Sequence, residues 1–331
     1  MKIFVYEHVT GGGMAGAALP PGLLLEADLM VRTLIGDLST CPGVELLTSR
    51  DARLAPLQEI ETILVEREDD PFAHVLRGIE ASDAVWPTAP ETDGVLQDLS
   101  AAVLQWGKML LGSRPEAVRL AGSKLATSRA LQAAGIPAVA TSALPDNIPA
   151  TPGRWITKPD DGAGAEGVRL ERDWRHARDR LAGTAGLVAQ PWLEGDPLSL
   201  SLLCAEGKSV LLSCNRQLVH LADDRITLAG IDVNTVADDR GELASLGSRV
   251  AAAIPGLWGY VGIDLVMTPL GPIVLEINPR LTTSYCGLGR ALGVSVAAQV
   301  LGLLEPGALS RWHPSSPGSA VHLTLEAGCA Q

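Results

Sequence analysis

Two carboxylates and one amide are predicted to meet on a hydrophobic hairpin at residues 259–280, which read GYVGIDLVMTPLGPIVLEINPR. With a three-residue turn at Pro269–Gly271, Asp264 would face Glu276 across the two strands. Asn278, two residues beyond Glu276, would share its face. Neighbouring carboxylates repel each other, and a hard divalent cation bound through oxygen ligands relieves this repulsion. The hairpin therefore predicts a site for Mg²⁺, with Mn²⁺ as a substitute, of the kind that binds nucleotide phosphates.

A different pairing of the same strands would give the two acids no shared function. A slip of one residue in the turn would direct Asp264 and Glu276 to opposite faces. One of them would then point to solvent or pair with Arg280. The predicted ligand set has no histidine or cysteine, so zinc is not expected.

A glycine-rich segment at residues 156–170, ITKPDDGAGAEGVRL, fits the spacing G-x-G-x-x-G through Gly162, Gly164 and Gly167. A dinucleotide-binding turn needs a helix after the third glycine and an acid about 20 residues later. The residues that follow, VRLERD, alternate instead as in a strand, which favours two strands joined by a glycine flap. Backbone N–H groups of such a flap can close over phosphates, and Lys158 would place its ammonium beside them. A bare surface hairpin with a solvated lysine is the alternative.

Composition and charge restrict the class of protein. The chain has 331 residues, 47% of them hydrophobic, and a formal net charge of −12. It can bury a core for two or three packed units, and its acidic surface argues against nucleic acid or an anionic membrane as a partner. No hydrophobic stretch reaches the roughly 18 residues of a membrane-spanning helix, and the opening MKIFVYEHV predicts a first strand rather than a signal peptide.

The cysteines indicate a reducing compartment. There are five, and none is part of a C-x-x-C pair, so we expect free or buried thiols and a cytoplasmic protein rather than a disulfide or zinc framework. They are Cys41, Cys204, Cys214, Cys286 and Cys329.

The first 115 residues alternate short apolar strands with helical stretches, which predicts a small parallel α/β unit. Strands are expected at KIFVY, VELLT, TILVE and AVWP, with a helix near Leu24–Leu38 and another through GVLQDLSAAVLQWGKMLL. Ligands gather at the carboxyl ends of the strands in such sheets. The loop YEHVTGGG, with Glu7 and Gly12, is therefore predicted to contact substrate, and a bare turn is the alternative.

The remaining chain predicts antiparallel strands and several helices. A helix should begin after Ser123, a good N-cap, and end before Gly135 and Pro137. Strands between Leu198 and Val233 should be antiparallel, and the tail after Pro306, rich in Ser, Pro and Gly, is expected to have weak order. A helix is expected near 238–253 and a helical region near 288–304, and the predicted units include an N-terminal α/β domain at 1–115 and a tail at 306–331.

The motifs follow one another in a fixed order: a lysine on the helix SKLATSRALQAAGIP, Lys158 before the glycine flap, VAQPWLEG, then Asp264 and LEINPR. This order resembles the ATP-grasp superfamily over roughly residues 110–300. The resemblance implies an α/β fold in which two α+β subdomains hold ATP and Mg²⁺ between them. These would be a small lid subdomain with the glycine flap at 116–190 and a large subdomain with the metal site at 191–305. An N-terminal parallel α/β domain would help to bind substrate.

The resemblance also implies roles for individual residues. Gln190, Pro191, Trp192 and Leu193 would form the hinge around adenine, where the carbonyl of Pro191 accepts a hydrogen bond and the N–H of Leu193 donates one. Asp196 would bind the ribose. Roles near the phosphates are implied for Lys124 and Lys158 (phosphate contacts), Gly162, Gly164 and Gly167 (closing flap), Asp264, Glu276 and Asn278 (Mg²⁺ ligands) and Arg280 (transferred phosphate and acyl intermediate).

Three short strings resemble a narrower group, the ligases that join tyramine to glutamate in methanofuran biosynthesis and their bacterial relatives in one-carbon metabolism. The strings are YEHVTGGG near the start, SCNRQLV at 213–219 and INPRLTTSYCGL from Ile277. In this group Arg216 and Arg280 would be the cations for a substrate carboxylate or phosphate. Arg216 would otherwise pair with a surface acid such as Asp223. The residues implied to face the acceptor are Thr282, Thr283, Ser284 and Tyr285.

Together these features predict an ATP-dependent carboxylate–amine ligase that forms an amide through an acylphosphate. Its catalytic cations would be Arg280, Lys158 and Arg216. Its partners would be small molecules, an amino acid such as glutamate and an amine such as tyramine or tyrosine in methylofuran-type cofactor biosynthesis, and a homodimer is allowed. The alternatives are a ligase for another amino-acid pair, a nucleotide-binding regulatory module without turnover, and a Rossmann-type oxidoreductase.

Overall fold

The computed structural model describes residues 1–57, 60–70, 72–146, 148–162, 167–311 and 318–325. Gly164 of the predicted glycine flap and Cys329 lie outside these ranges. The described residues form one parallel sheet and one curled, largely antiparallel sheet, together with helices. The predicted mixed α/β class is therefore confirmed.

The first sheet is wholly parallel. Its strands are β1 (Lys2–Glu7), β2 (Glu45–Asp51), β3 (Glu61–Val65), β4 (Ala84–Thr88) and β5 (Met109–Leu110), in the order β3-β2-β1-β4-β5. The central strand β1 is buried over five of its six residues, as expected for an apolar run covered on both faces. The strands predicted at VELLT, TILVE and AVWP are confirmed.

Three helices of the described chain belong to this unit: α1 (Pro21–Ser39), α2 (Ala73–Glu80) and α3 (Val95–Gln105). The prediction that α3 continues through KMLL was wrong. Gly107, with a φ of 67°, follows the end of α3, and Met109–Leu110 then pairs with β4. At 19 residues α1 is the longest described helix. Among the described helices, none combines the length and hydrophobicity that crossing a membrane requires.

Two short helices follow, α4 (Pro115–Gly122) and α5 (Lys124–Ala133). The hydroxyl of Ser123 accepts a hydrogen bond of 3.0 Å from the backbone N–H three residues on, so the predicted N-cap is confirmed. Gly135, with a φ of 68°, terminates α5 as predicted. The cap fixes Lys124 as the first residue of α5.

The second sheet has nine strands in the described part of the chain. They are β6 (Trp155–Pro159), β7 (Arg169–Glu171), β8 (Leu187–Pro191), β9 (Asp196–Ala205), β10 (Lys208–Ala222), β11 (Arg225–Val233), β12 (Gly259–Thr268), β13 (Gly271–Asn278) and β14 (Val321–Thr324). The order is β13-β12-β9-β10-β11-β7-β6-β8, and β14 also pairs with β11.

The accompanying helices are α6 (Trp174–Gly183), α7 (Glu242–Ala253), α8 (Tyr285–Leu292) and α9 (Val296–Gly302). The helical region predicted near 288–304 consists of two helices, with Gly293 in a left-handed conformation between them.

One extended segment, residues 137–142, joins the two ends of the second sheet. At one end the N–H of Val139 donates to the carbonyl of Val274 in β13 at 2.9 Å. At the other end Ser142 and Ala189 in β8 exchange two hydrogen bonds of 2.8 and 2.9 Å. The sheet therefore curls until its two ends approach each other, and this curl brings β6 close to β13.

The glycine flap joins two antiparallel strands, as predicted. In the pairing of β6 with β7, Trp155 lies opposite Glu171 and Thr157 lies opposite Arg169. The chain after Gly167 therefore continues as a strand. A Rossmann-type turn, which requires a helix at this point, is wrong for this loop.

Part of the tail is ordered, so the prediction of weak order after Pro306 was wrong for this part. The strand β14 pairs antiparallel with β11 through four residue pairs. Leu323 of β14 is buried in a large hydrophobic cluster. Backbone pairing and burial of an apolar side chain hold this short segment in place, although its neighbours in sequence are rich in serine and proline.

The two sheets belong to units that share a hydrophobic core. Leu34 of α1 lies in the same buried cluster as Leu288 of α8 and Val300 of α9. The hydroxyl of Tyr285 in α8 donates to Asp37 in α1 at 2.7 Å. The N-terminal unit is therefore packed against the two helices that follow the hairpin at residues 259–280. The predicted unit boundaries at residues 115, 190 and 305 stay predictions.

Candidate functional site

The hairpin of β12 and β13 places Asp264 directly opposite Glu276, which confirms the predicted pairing. The predicted turn was wrong, because Thr268 pairs with Gly271 and the turn has two residues rather than three. A β-bulge between Asp264 and Leu265 then shifts the register by one residue and restores the pairing of the acids. The two departures from the predicted geometry cancel.

The bulge also decides which side chains of β13 face away from the core. Val274 and Ile277 both lie in the hydrophobic core although they are three residues apart, whereas a regular strand alternates every two. Glu276 and Asn278 consequently lie on the face opposite the core. Without the bulge Val274 would share the face of Glu276, and the core would lose a valine or gain an acid.

Asp264 and Glu276 respond in opposite ways to their surroundings. Burial, followed by the neighbouring charge of Glu276, raises the pKa of Asp264 to about 7. Burial alone would raise the pKa of Glu276 too, but the ammonium groups of Lys158 and Lys124 outweigh it and hold that pKa below its usual value. Gln217, which was not predicted, donates from Nε2 to Asp264 Oδ1 at 2.8 Å. It lies on β10, within the string SCNRQLV, in which a role was predicted for Arg216 alone.

Two buried lysines reach the same carboxylate from different elements. Lys158 Nζ on β6 lies 3.4 Å from Glu276 Oε2, and Lys124 Nζ on α5 lies 3.8 Å from the same oxygen. Lys124 Nζ also donates to the carbonyl of Gly162 at 2.6 Å. Burial lowers the pKa of Lys158, although the charge of Glu276 opposes this shift. The two ammonium groups repel each other and would attract an anion such as phosphate to their side of the hairpin.

Asp160 positions the helix that carries Lys124. Its Oδ1 accepts from the N–H of Leu125 at 2.8 Å, and its Oδ2 accepts from the hydroxyl of Ser123 at 2.6 Å. Its backbone carbonyl accepts from the N–H of Lys124 at 3.0 Å. This acid was not predicted. Its position two residues after Lys158 gave no signal, because the helix that it caps lies earlier in the chain.

The donor set of the hairpin fits a hard divalent cation. Asp264 and Glu276 offer carboxylate oxygens side by side, and Asn278 offers an amide oxygen. The described residues contain no group of three or more His, Cys, Asp or Glu side chains that could hold a metal ion. Asn278 Nδ2 donates to Asp264 Oδ2 at 3.1 Å. To act as a ligand, the amide of Asn278 would have to rotate so that its oxygen faces the metal. These three residues would hold Mg²⁺, and their metal role stays a prediction.

The residues predicted to surround adenine lie at the end of β8. Gln190 is buried, and its amide donates to a threonine hydroxyl at 2.9 Å. Pro191 is the last residue of β8. The guanidinium carbon of Arg154 lies 5.0 Å from the ring centroid of Trp192, and Leu193 follows in a partly buried position. The strand ends where the hinge was predicted, and the contacts with the base stay predictions.

Arg216 and Asp196 contact each other at the surface. Arg216 Nη1 lies 3.1 Å from Asp196 Oδ1, with 43% and 60% of the two side chains exposed. The surface pairing foreseen as the alternative for Arg216 is thus present, but with Asp196 rather than Asp223. An exposed pair contributes at most about 1 kcal/mol, so either partner can exchange it for a ligand at small cost. The catalytic role of Arg216 and the ribose contact of Asp196 stay predictions.

Arg280 reaches from the end of the hairpin to the N-terminal unit. Its Nε and Nη2 donate to the two carboxylate oxygens of Glu91 at 2.9 and 3.0 Å. Its Nη1 donates to the carbonyl of Leu281 at 3.1 Å. Glu91 was not predicted. It lies 189 residues from Arg280 in the sequence, and no local pattern marks it.

Thr283 and Tyr285 form hydrogen bonds with α1. Thr283 Oγ1 donates to Glu26 Oε2 at 2.7 Å, and the hydroxyl of Tyr285 donates to Asp37 Oδ2 at 2.7 Å. Both threonine and tyrosine are buried. These contacts give the two residues a packing role, and their predicted contact with the acceptor stays a prediction.

Thr282 and Ser284 join a buried polar network on the second sheet. Thr282 Oγ1 lies 2.8 Å from a tyrosine hydroxyl, and Ser284 Oγ lies 3.4 Å from Ser199 Oγ. Asn215, from the string SCNRQLV, donates to Ser199 Oγ at 3.2 Å. Ser199 is the register partner of Asp264 on the neighbouring strand. The network therefore adjoins the carboxylate pair, where a second substrate would have to meet the phosphates.

The loop after β1 is braced by Glu7. Its buried carboxylate accepts from the N–H of Val9 at 3.1 Å and from the N–H and hydroxyl of Thr10 at 2.7 Å each. Burial raises the pKa of Glu7, although these hydrogen bonds oppose the shift. Gly12 has a φ of 93°, and a Cβ added there would lie 2.6 Å from Val65. The hydrogen bonds and backbone angles of the loop explain why a glutamate and a glycine occupy these two positions, without any ligand. Their contact with substrate stays a prediction.

Replacing Gly12 by alanine should lower the free energy of unfolding by about 1–3 kcal/mol, because it combines a positive φ with overlap onto Val65. Gly43→Ala is the matched control, since Gly43 has a φ of 74° and no heavy atom within 4 Å of an added Cβ. Urea unfolding followed by circular dichroism measures both losses. Equal losses would show that the contact with Val65 carries no cost.

Comparisons with protein families identify two domain types in the chain. A model of the ATP-grasp domain matches residues 121–284, and a model of the pre ATP-grasp 3 domain matches residues 44–118. The tyramine–L-glutamate ligase of Methanocaldococcus jannaschii is 26% identical over 292 residues, which cover 86% of this chain and 84% of that protein.

Solved structures show the same architecture. A protein of Archaeoglobus fulgidus assigned to the ATP-grasp superfamily superposes with a TM-score of 0.73 at 22% identity, covering 98% of this chain and 100% of that one. The biotin carboxylase domain of the Hydrogenobacter thermophilus 2-oxoglutarate carboxylase, solved with MgADP, ADP and bicarbonate, gives a TM-score of 0.67 at 15% identity. The match covers 90% of this chain and 68% of that one. At these identities the likeness shows the fold.

Proposed function

Because this chain is an ATP-grasp protein, we propose that it is an ATP-dependent ligase that joins a carboxylate to an amine through an acylphosphate. The proposal depends on one observation: Lys158 and Lys124 converge on Glu276, which lies opposite Asp264. Cations suited to phosphates and acids suited to a metal thus meet at one point of the structure. A nucleotide-binding module without turnover would have little use for this combination.

In the first step an oxygen of the substrate carboxylate attacks the γ-phosphorus of ATP, the bond from that phosphorus to the β,γ-bridging oxygen breaks, and ADP leaves. Mg²⁺, when bound, would neutralise charge on the phosphates. Lys158 and Lys124 would bind phosphate oxygens, and Arg280 would hold the group in transfer. These charges are fixed before the reaction by buried contacts, which reduces the reorganisation that the transfer requires.

In the second step the amine nitrogen attacks the acyl carbon, the bond from carbon to the phosphate oxygen breaks, and phosphate leaves as the nitrogen loses a proton. The protein binds and orients the two substrates and excludes water, so it needs no nucleophilic side chain. The buried network of Thr282 and Ser284 lies beside the carboxylate pair and would orient the acceptor.

For the substrates we propose glutamate as the acid and tyramine or tyrosine as the amine. The similarity to the tyramine–L-glutamate ligase extends over most of both chains and supports this choice. A place in methanofuran- or methylofuran-type cofactor biosynthesis is proposed on the same basis, with another amino-acid pair as the alternative. The cytoplasmic location and the homodimer stay predictions.

The proposal is tested by incubating the purified protein with ATP, Mg²⁺, glutamate and either tyramine or tyrosine. A coupled assay measures ADP, and mass spectrometry measures the product. We expect equal amounts of ADP and of a γ-linked amide, no amide and no more ADP than there is enzyme when the amine is omitted, and neither product when Mg²⁺ is omitted. Saturable ATP binding without ADP, over a broad panel of acids and amines, would contradict the ligase and favour a regulatory module.

A further inference from the structure

Glu91 and Arg280 form an ion pair between the two halves of the molecule. Two hydrogen bonds join the guanidinium to both carboxylate oxygens. Only 7% of the Glu91 side chain and 12% of the Arg280 side chain are exposed. Arginine has five N–H donors. In the described residues two of them bind Glu91 and one binds the carbonyl of Leu281. One N–H on each terminal nitrogen is left for a ligand.

Two other acids lie near Arg280, but each is engaged elsewhere. Burial alone would lower the pKa of Arg280, whereas the charges of Glu91, Glu276 and Glu7 together raise it. Glu276 contacts two lysines, and Glu7 accepts three hydrogen bonds from its own loop. Among the described acids, Glu91 is therefore the one that fixes the plane of the guanidinium.

The segment that carries Glu91 is held at a second point of the site. Thr92 Oγ1 donates to the carbonyl of Asp161, and the N–H of Asp93 donates to Asp161 Oδ2, both at 3.0 Å. Asp161 directly follows Asp160, which caps α5. Asp93 has a φ of 54°, which residues other than glycine seldom adopt. This bend allows one short segment to contact both the arginine and the stretch that positions the lysine helix.

We propose that Glu91 is a positioning residue for phosphoryl transfer, an inference that rests on the proposed function. Glu91 would hold Arg280 so that the two remaining N–H groups of the guanidinium face the transferred phosphate. A bidentate arginine–carboxylate pair fixes both the direction and the rotation of the guanidinium. Glu91 acts through Arg280 and does not touch the substrate. The N-terminal unit thereby takes part in the first reaction step.

Replacing Glu91 by glutamine should lower kcat about 10–100-fold and change the KM for ATP by less than about threefold. Glutamine keeps the size of the side chain but loses the charge and one of the two acceptors, so Arg280 loses its fixed orientation. Glu91→Asp keeps the charge and should recover part of kcat. Glu80→Gln removes an exposed charge from the same unit and should change neither constant.

A double-mutant cycle separates action through Arg280 from direct action. In an Arg280→Met background, Glu91→Gln should cost less than about twofold in kcat. The same loss in both backgrounds would overturn the positioning role. A loss confined to the KM of the acid or the amine would overturn it too, because that pattern indicates direct contact with a substrate.

A second measurement does not depend on turnover. Amide hydrogen exchange of the peptide 279–284 should become faster in Glu91→Gln and stay unchanged in Glu80→Gln. Unchanged exchange in Glu91→Gln overturns the positioning role by itself. If the wild-type protein forms no ADP with any acid–amine pair but exchange still rises, the proposed ligase function fails while the holding of Arg280 by Glu91 stands.

Discussion

Replacing Glu276 by glutamine should reduce the rate of ADP formation about 10²–10³-fold. Glu276 is the carboxylate at which Lys158, Lys124 and the opposing Asp264 meet. Glutamine has the same size but lacks the charge that both ammonium groups and a metal ion require. The measurement is kcat at saturating ATP over a titration of Mg²⁺. The wild-type rate should rise to a plateau with Mg²⁺ and vanish with a chelator, and the residual rate of the variant should depend only weakly on the metal.

A second variant separates loss of catalysis from loss of folding. This is needed because removing one partner of a buried ion pair can cost about 3–5 kcal/mol of stability. Asp264→Asn introduces a neutral side chain where burial already raises the pKa of the acid to about 7, so the fold should tolerate it. Its loss of rate should match that of Glu276→Gln, while Glu305→Gln, at an exposed position, should keep the wild-type rate. Wild-type rates with an unchanged Mg²⁺ titration in both site variants would place the metal elsewhere.

Replacing Lys158 by methionine should lower kcat about 10²–10³-fold with a smaller effect on stability. Methionine fills a similar volume without the charge that the transferred phosphate needs. The charge of Glu276 is still partly compensated in this variant, because Lys124 Nζ lies 3.8 Å from its carboxylate. The loss of stability should therefore stay below the roughly 3–5 kcal/mol of an unpaired buried charge. Steady-state kinetics and thermal unfolding of the same preparation measure the two effects.

Lys208→Met is the matched control for this substitution, since Lys208 is exposed at the start of β10. It should leave kcat and the KM for ATP unchanged. A Lys158→Met variant with normal kcat and a raised KM for the amine alone would show that Lys158 binds the acceptor and not the nucleotide.

The sequence by itself determined the local elements that carry the site. A serine N-cap and a terminating glycine predicted the helix with Lys124 at its first residue, and both are confirmed. Alternating side chains after Gly167 predicted a strand and argued against a Rossmann turn, and the pairing of β6 with β7 confirmed the strand. Signals of this kind succeed because they depend on backbone angles and on neighbours a few residues away.

The hairpin of Asp264 and Glu276 shows the limit of such local signals. Its pairing was predicted correctly from a turn that proved to be one residue shorter, and a bulge made up the difference. The bulge is required because Val274 and Ile277 must both reach the core. That requirement comes from packing across the sheet, which the turn sequence does not contain.

Only the tertiary structure decided which distant groups meet. Lys158 and Glu276 are 118 residues apart, and Glu91 and Arg280 are 189 residues apart. The first pair depends on the curl of the second sheet, and the second pair depends on the packing of the N-terminal unit against the hairpin. Glu91 has no local signal, and the string that contains Gln217 did not indicate its contact with Asp264, because contacts between distant segments are set by the packing of the whole core and not by the pattern of any one segment.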